Sequence, residues 1–187
     1  MTNLFRIYGC RFASCLAMLL VLTPGVHAGT SNLSGEVTIN VTVLAPPCDI
    51  SEDDRRGITA NFAPVSYRQF YNGSAGPQSD FALHLSNCDS SIAKSIHFTF
   101  SGTEEPSLPG MLALDPASGA KGVAIGIKSD NGTAININHP SDAFALSDGS
   151  MVFNFIAWLQ ATPEALANQN ILPGDFSAQA VISLSYE

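Results

Sequence analysis

The chain has 187 residues, of which 45% are hydrophobic and 13% are charged, and its formal net charge at pH 7 is −8. Because its few basic residues form no cluster, electrostatics give the chain no reason to bind nucleic acid or an anionic membrane surface. We therefore exclude both from the expected partners.

The N-terminal segment 1–28 has the pattern of a secretory signal peptide. Arg6 and Arg11 precede an apolar run at 13–22, and a small-x-small cleavage site ends at Ala28. The run is too short to span a bilayer, and a retained membrane anchor is the alternative. Cleavage would leave 159 residues (187 minus 28) with a formal charge of −10 (6 basic minus 16 acidic). We predict one exported domain with no membrane insertion after cleavage.

The next segment alternates between apolar and polar side chains, which is the period of a β-strand. Its apolar positions are Leu33, Val37, Ile39, Val41 and Val43, with Gly35 on the same parity. Pro46 and Pro47 follow, and two prolines favour a break from the domain after them. Two interpretations stay open: an ordinary first strand of its own domain, or a strand that joins the sheet edge of another domain.

Two cysteines, Cys48 and Cys88, remain after the predicted cleavage. In an exported protein, two cysteines most simply form one disulfide. A zinc site is the alternative, but it would need two further ligands.

Short runs with strand periodicity follow one another along the rest of the chain. They occupy 58–62, 80–88, 95–100, 122–127, 133–137 and 151–160. The run at 151–160 is apolar enough to be a central strand, whereas 163–170 has room for one or two helical turns. Many short strands within one domain predict an antiparallel β-sandwich.

The C-terminal segment from Gly174 to Glu187 also alternates. Its apolar residues occupy every second position: Phe176, Ala178, Ala180, Ile182, Leu184 and Tyr186. This period predicts a half-buried strand that runs to the last residue of the sequence. What covers the far edge of that strand is the question that the sequence raises.

No catalytic chemistry is evident. The sequence has no G-x-S-x-G motif, no H-E-x-x-H motif and no glycine-rich phosphate loop. His84 and His97 alternate with apolar neighbours and are expected to face solvent, and Asp53 and Asp54 are expected in a solvated loop. The turn at 129–132 lacks the ligand series of a calcium loop. We predict no enzyme activity, no cofactor and no metal site.

Four features together resemble a subunit of the bacterial chaperone–usher pilus family. Tyr186 is the penultimate residue, and Gly174 is fourteenth from the C-terminus, with alternating apolar residues between them. Cys48 and Cys88 occur where the disulfide of that family occurs, and the alternating segment directly precedes Cys48. The joint spacing is more specific than any of the features alone, and it spans almost all of the chain after residue 28.

The resemblance implies an incomplete immunoglobulin-like sandwich of six strands, which lacks its last strand and carries an N-terminal donor-strand extension. The implied regions are a signal peptide at 1–28, the extension at 29–47 and a pilin domain at 48–187. The implied donor residues are Leu33, Val37, Ile39, Val41 and Val43. The implied acceptor groove and chaperone-binding strand comprise Gly174, Phe176, Ala178, Ala180, Ile182, Leu184 and Tyr186. The implied partners are a periplasmic chaperone, an outer-membrane usher and neighbouring subunits, on a route from the periplasm to a cell-surface fimbrium.

One position departs from the family's pattern. The donor strand of the family usually has glycine seven residues before the first cysteine, where this chain has Val41. We therefore expect a minor or adaptor subunit rather than the repeating shaft subunit. The alternatives are a base subunit that ends assembly, or a self-complete secreted β-sandwich that binds a carbohydrate.

Overall fold

The computed structural model describes residues 46–72 and 76–187. The predicted signal peptide and the donor residues from Leu33 to Val43 lie outside the described residues. The strands are β1 (Asp49–Ile50), β2 (Gln78–Cys88), β3 (Ser95–Gly102), β4 (Val123–Ser129), β5 (Ala134–Ile135), β6 (Phe144–Ala145), β7 (Gly149–Ala161) and β8 (Ala180–Tyr186). Three short helices join them: α1 (Glu52–Arg55), α2 (Arg68–Tyr71) and α3 (Pro163–Ala167).

The strands form two antiparallel sheets. A five-stranded sheet has the order β1-β2-β7-β4-β5, and a three-stranded sheet has the order β6-β3-β8. The first four strands of the larger sheet follow the A-B-E-D order of an immunoglobulin domain, and β3 and β8 correspond to strands C and F. The predicted all-β, immunoglobulin-like sandwich is confirmed, and β7 is the central strand that its apolar sequence predicted.

An aromatic core joins the two sheets. Phe98 and Phe100 on β3 each contact Phe155 on β7, with ring centroids 5.2 and 5.3 Å apart. All three side chains are fully buried or nearly so. Alternation along each strand places these residues on the inner face, and their burial supplies much of the apolar stabilisation of the domain.

The structure corrects two predictions about local elements. Residues 58–62 form no strand, although Ile58, Ala60 and Phe62 still pack against the core. Asp53 and Asp54 lie in the one-turn helix α1 rather than in a loop, because the Ser51 hydroxyl accepts a hydrogen bond from the Asp54 amide (3.2 Å) and caps the helix.

A third correction concerns the two histidines. His84 is exposed as predicted, whereas the side chain of His97 is only 18% exposed. The Nδ1 atom of His97 lies 2.8 Å from the carbonyl oxygen of Ser141, in a loop that covers this part of β3. The prediction that His97 faces solvent is wrong, because strand alternation does not report a loop that covers the outer face.

Candidate functional site

One edge of β8 has no strand beside it within residues 46–72 and 76–187. The other edge pairs with β3 along its whole length, from Ile96–Tyr186 to Gly102–Ala180. Ser95 and Glu187 exchange two backbone hydrogen bonds (3.0 and 2.9 Å) across this pairing. Backbone groups alternate in direction along an antiparallel strand. The N–H and C=O groups of the even-numbered residues of β8 therefore point to the open edge.

An apolar groove of about 480 Å³ lies beside this open edge. One wall is 58–62 and the other is 176–182. The floor is formed by side chains of both sheets and by one residue outside the strands, Leu112; the sheet residues are Phe81, Phe100, Ile125, Ile127 and Ala157. The groove therefore lies against the sandwich core between two chain segments, in the place where the G strand of a complete immunoglobulin sheet would lie beside β8.

The wall at 176–182 is half strand and half irregular chain. The predicted strand from Gly174 to Glu187 pairs with β3 only from Ala180 onward. Before that, the Asp115 amide donates to the Ser177 carbonyl (2.7 Å), and the Gly119 amide donates to the Asp175 carbonyl (2.8 Å). The first half of the predicted strand is therefore held by the loop at 115–119 rather than by β3.

Gly174 permits that loop to approach. A Cβ atom at Gly174 would lie 2.6 Å from the carbonyl carbon of Gly119, which is closer than van der Waals contact allows. The glycine implied by the family resemblance therefore has a specific packing role here. It lies at the end of the wall and does not line the groove.

The other residues of the predicted acceptor strand lie on one face. Four of them line the groove: Phe176, Ala178, Ala180 and Ile182. Leu184 and Tyr186 pack against the core farther along β8, and both are half-buried. The structure thus places this side of the predicted site along one continuous surface. Its role in binding a chaperone or a donor strand stays a prediction.

The opposite wall is the part of the site that sequence reasoning missed. Ile58, Ala60 and Phe62 share one parity and line the groove. Phe62 also contacts Phe176 across the groove, with ring centroids 5.7 Å apart. The alternation at 58–62 indicated a buried face, but nothing in that pattern indicated that the face borders the same groove as the C-terminal strand.

Tyr186 on β8 and His97, which lies beside Glu187, both have shifted pKa values. Burial raises the pKa of the Tyr186 hydroxyl, and the negative charge of Asp49 adds to the shift. The hydrogen bond to the Ser141 carbonyl raises the pKa of His97, and the Glu187 carboxylate, 3.4 Å from its Nε2 atom, acts in the same direction. The His97 side chain on β3 therefore contacts both the loop at Ser141 and Glu187, the residue that follows β8.

Cys48 and Cys88 form the predicted disulfide. The zinc alternative gains no support, because the described residues contain no group of three or more potential metal ligands. The bond joins the start of the domain, just before β1, to the last residue of β2. The chain that leads into the wall at 58–62 is therefore fastened to the larger sheet.

The longest helix described has five residues, and none is long and apolar enough to cross a membrane.

Comparison with known proteins identifies the family. The sequence model described as fimbrial protein matches residues 32–187. A Proteus mirabilis HI4320 protein named as a minor fimbrial subunit, PmfF, is 31% identical over 178 residues, which cover 93% of this chain and 96% of that protein. The fimbrial adapter PapK of Escherichia coli is 28% identical over 172 residues, which cover 89% of this chain and 96% of PapK.

The fold agrees with that of a solved pilus subunit. The crystal structure of the P pilus rod subunit PapA superposes with a TM-score of 0.62 at 23% identity, over 76% of this chain and 100% of that chain. At this identity the likeness concerns the fold alone. The family match covers most of the sequence, and the sandwich has the immunoglobulin-like order of such subunits. This chain therefore belongs to the fimbrial protein family, and it is a structural subunit of chaperone–usher pili rather than an enzyme.

Proposed function

We propose that this subunit is assembled by donor-strand exchange at the open edge of β8. Before assembly, a strand of a periplasmic chaperone would occupy the groove, and an outer-membrane usher would then pass the subunit into the pilus. In the cell-surface fimbrium, the N-terminal extension of a neighbouring subunit would replace the chaperone strand. The observation that carries the proposal is the apolar groove next to an edge of β8 that pairs with no strand of residues 46–72 and 76–187.

The chemistry of the groove suits an added strand. The open edge of β8 offers backbone donors and acceptors, and the floor offers apolar side chains to every second residue of an incoming strand. Each fully buried Val, Leu or Ile contributes roughly 1.5–3 kcal/mol. Four or five such residues would contribute on the order of 10 kcal/mol before ordering costs, which is comparable with the net stability of a whole domain, about 5–15 kcal/mol.

The same chain would in turn donate a strand. The proposed donor is the extension at 29–47, and its apolar parity is Leu33, Val37, Ile39, Val41 and Val43. These residues would enter the groove of another subunit, while the pilin domain at 48–187 receives a strand of its own. The two roles would use opposite ends of the sequence, so that one subunit can bind two neighbours.

We further propose a minor or adaptor position in an adhesive pilus. The names of PmfF and PapK support this position, and so does Val41, since a bulkier donor residue calls for a roomier groove in the recipient. A base subunit that ends assembly would need a groove that accepts no extension, and the open cavity between 58–62 and 176–182 argues against it.

The direct test is to express residues 29–187 in a periplasm with and without the pilus chaperone of the same strain. With the chaperone, we expect a soluble one-to-one complex on sizing. Without it, we expect low yield and self-association, because an apolar groove beside a free strand edge is exposed. A stable monomer without a chaperone would contradict the proposal and would favour the self-complete sandwich.

A further inference from the structure

The three-stranded sheet has a second edge, on the side of β3 that faces away from β8. The strand β6 pairs only with the first two residues of β3. Beyond them, the segment 138–141 follows β3. The Ser141 amide donates to the Phe98 carbonyl (2.9 Å), and the Asn138 amide donates to the Phe100 carbonyl (2.8 Å). A loop therefore covers the part of this edge that β6 does not reach.

The side chain of Asn138 takes the place of a strand residue. Its Oδ1 accepts from the Gly102 amide (3.1 Å), and its Nδ2 donates to the Gly102 carbonyl (3.1 Å). A carboxamide has one acceptor group and one donor group, as a peptide unit does. The backbone φ of Asn138 is 65°, in the left-handed region, which asparagine adopts more readily than most residues. The loop thus presents a peptide-like group to the end of β3.

Ser141 acts in the same way at the middle of β3. Its hydroxyl oxygen accepts from the Phe98 amide (2.9 Å), and only 8% of the residue is exposed. Pro140 lies opposite Thr99 and has no amide hydrogen. Side-chain groups and a proline do not form a regular ladder, so this loop offers no continuous edge to a further strand.

The two edges of one sheet therefore differ. The even-numbered residues of β8 have backbone groups that face the open groove, whereas Phe98, Phe100 and Gly102 of β3 already bond to the loop. We infer that Asn138 and Ser141 close the β3 edge to strand addition, so that an incoming extended segment of a chaperone or another subunit binds only at β8. The identity of that segment rests on the proposed function, whereas the closure rests on the loop itself.

The test uses Asn138→Gly in the complex of residues 29–187 with the chaperone, where the β8 edge is occupied. Glycine removes the carboxamide and adopts a φ of 65° without strain. Hydrogen exchange of the Gly102 amide is expected to become roughly tenfold faster, the effect of about one lost hydrogen bond. The complex is expected to self-associate, with cross-links between residues 98–102 of two copies.

The matched control is Asn87→Gly. Asn87 also has a positive φ, 52°, and its Nδ2 donates one exposed hydrogen bond to Asp49 (3.0 Å), away from the β3 edge. This variant should keep the one-to-one complex and the wild-type exchange rate at Gly102. The inference is supported if the Asn138→Gly complex self-associates and the Asn87→Gly complex does not.

Two results would overturn it. One is an unchanged exchange rate at Gly102, which would mean that Asn138 does not protect the edge. The other is faster exchange with no self-association at any concentration tested, which would mean that an exposed edge at this place recruits no strand. If Asn138→Gly yields no soluble complex, Asn138→Asp, which keeps the acceptor for the Gly102 amide and loses the donor, is judged by self-association in the same way.

Failure of the proposed function gives a different result. In that case, wild-type subunit and both glycine variants alike would form no chaperone complex. The closure would then be judged on the isolated subunits, by the exchange rate of the Gly102 amide in Asn138→Gly relative to wild type and Asn87→Gly. An unchanged rate there would again overturn the inference.

Discussion

The strands β7 and β8 both turn every second side chain toward the core, but neighbouring strands cover them differently. β7 pairs on one side with β2 and on the other with β4, and its inward residues from Phe153 to Leu159 are buried. Among the residues that the structure describes, β8 pairs only with β3, and its inward residues Ile182, Leu184 and Tyr186 are half-buried. The apolar face of β8 therefore has the composition of a core strand without the burial of one.

This difference separates two ways in which a strand stabilises the domain. Residues of β7 contribute their apolar burial within the chain itself. Residues that border the groove contribute fully only when another strand covers it. Substitutions of inward residues in β7 should therefore lower the stability of the subunit whether its groove is empty or filled. Substitutions of inward residues in β8 should act mainly on partner binding.

The largest effect is expected from Phe155→Ala. The Phe155 side chain is fully buried and contacts the rings of Phe98 and Phe100, so that its removal should lower the free energy of unfolding by roughly 3–5 kcal/mol. The exposed neighbour Asn154→Ala should change it by less than about 0.5 kcal/mol. Urea unfolding of the subunit with a filled groove measures both. Similar losses from both substitutions would show that inward and outward positions of β7 do not differ as the structure indicates.

A charge on the inward face of β8 should abolish capture by the chaperone. Ile182→Asp or Leu184→Asp places a carboxylate where an incoming strand would bury it, and Tyr186→Ala removes apolar contact. The expected loss is roughly 2–3 kcal/mol or more of binding free energy. Ser183→Ala, on the exposed parity, should change binding little. Co-purification with the chaperone measures the effect, and equal loss from both parities would contradict the assigned register.

Deletion of residues 29–45 should remove the ability of the subunit to donate a strand and leave its ability to receive one. The shortened subunit should still bind the chaperone and accept a donor strand, but it should not donate. Strand-exchange assays with a labelled neighbouring subunit measure each step. A deletion that unfolds the chaperone-bound subunit would mean that 33–45 is an integral strand of its own domain.

Val41→Gly tests the same extension at one residue. If Val41 fills a pocket in the recipient, glycine should weaken exchange with the native recipient by roughly 1–3 kcal/mol through lost burial. Exchange with a recipient that normally takes glycine should be unchanged or faster. The measurement adds peptides of residues 29–45, with valine or glycine at position 41, to the recipient subunit in its chaperone complex. The rate at which each peptide displaces the chaperone distinguishes these outcomes. If Val41→Gly exchanges with the native recipient at the wild-type rate, then the recipient accepts valine without a pocket that favours it.

The smallest effect is expected from the pH dependence of the contacts that His97 makes with the Ser141 carbonyl and the Glu187 carboxylate. The folded-state pKa of His97 is raised above its ordinary value of 6.5. Protonated His97 therefore stabilises the folded state fully below about pH 6.5, and this contribution is lost as pH rises through the raised pKa. The stability difference between wild type and His97→Gln should be larger at pH 5.5 than at pH 8, by thermal unfolding of the subunit with a filled groove. A pKa of His97 at or below 6.5 by NMR titration would contradict this assignment.

The sequence by itself determined which side chains of β8 face inward, because its apolar residues occupy every second position. A period of two fixes the face of every residue in a strand, whatever lies beside it. The pairing of Cys48 with Cys88 was also predicted from the sequence, because two cysteines remain after the predicted cleavage and would most simply form one disulfide in an exported protein. The resemblance in spacing then identified the family before any contact was known.

Only the tertiary structure decided where backbone groups find their partners. The alternation from Gly174 to Glu187 is continuous, yet only Ala180–Tyr186 pairs with β3, because the loop at 115–119 bonds to the preceding residues. Likewise, 58–62 is a groove wall and not a strand, and Asn138 closes an edge although nothing in its sequence context indicates a strand. Hydrogen bonds run sideways to segments distant in sequence, whereas periodicity reports only inward and outward directions, so the open and closed edges become visible only in the folded chain.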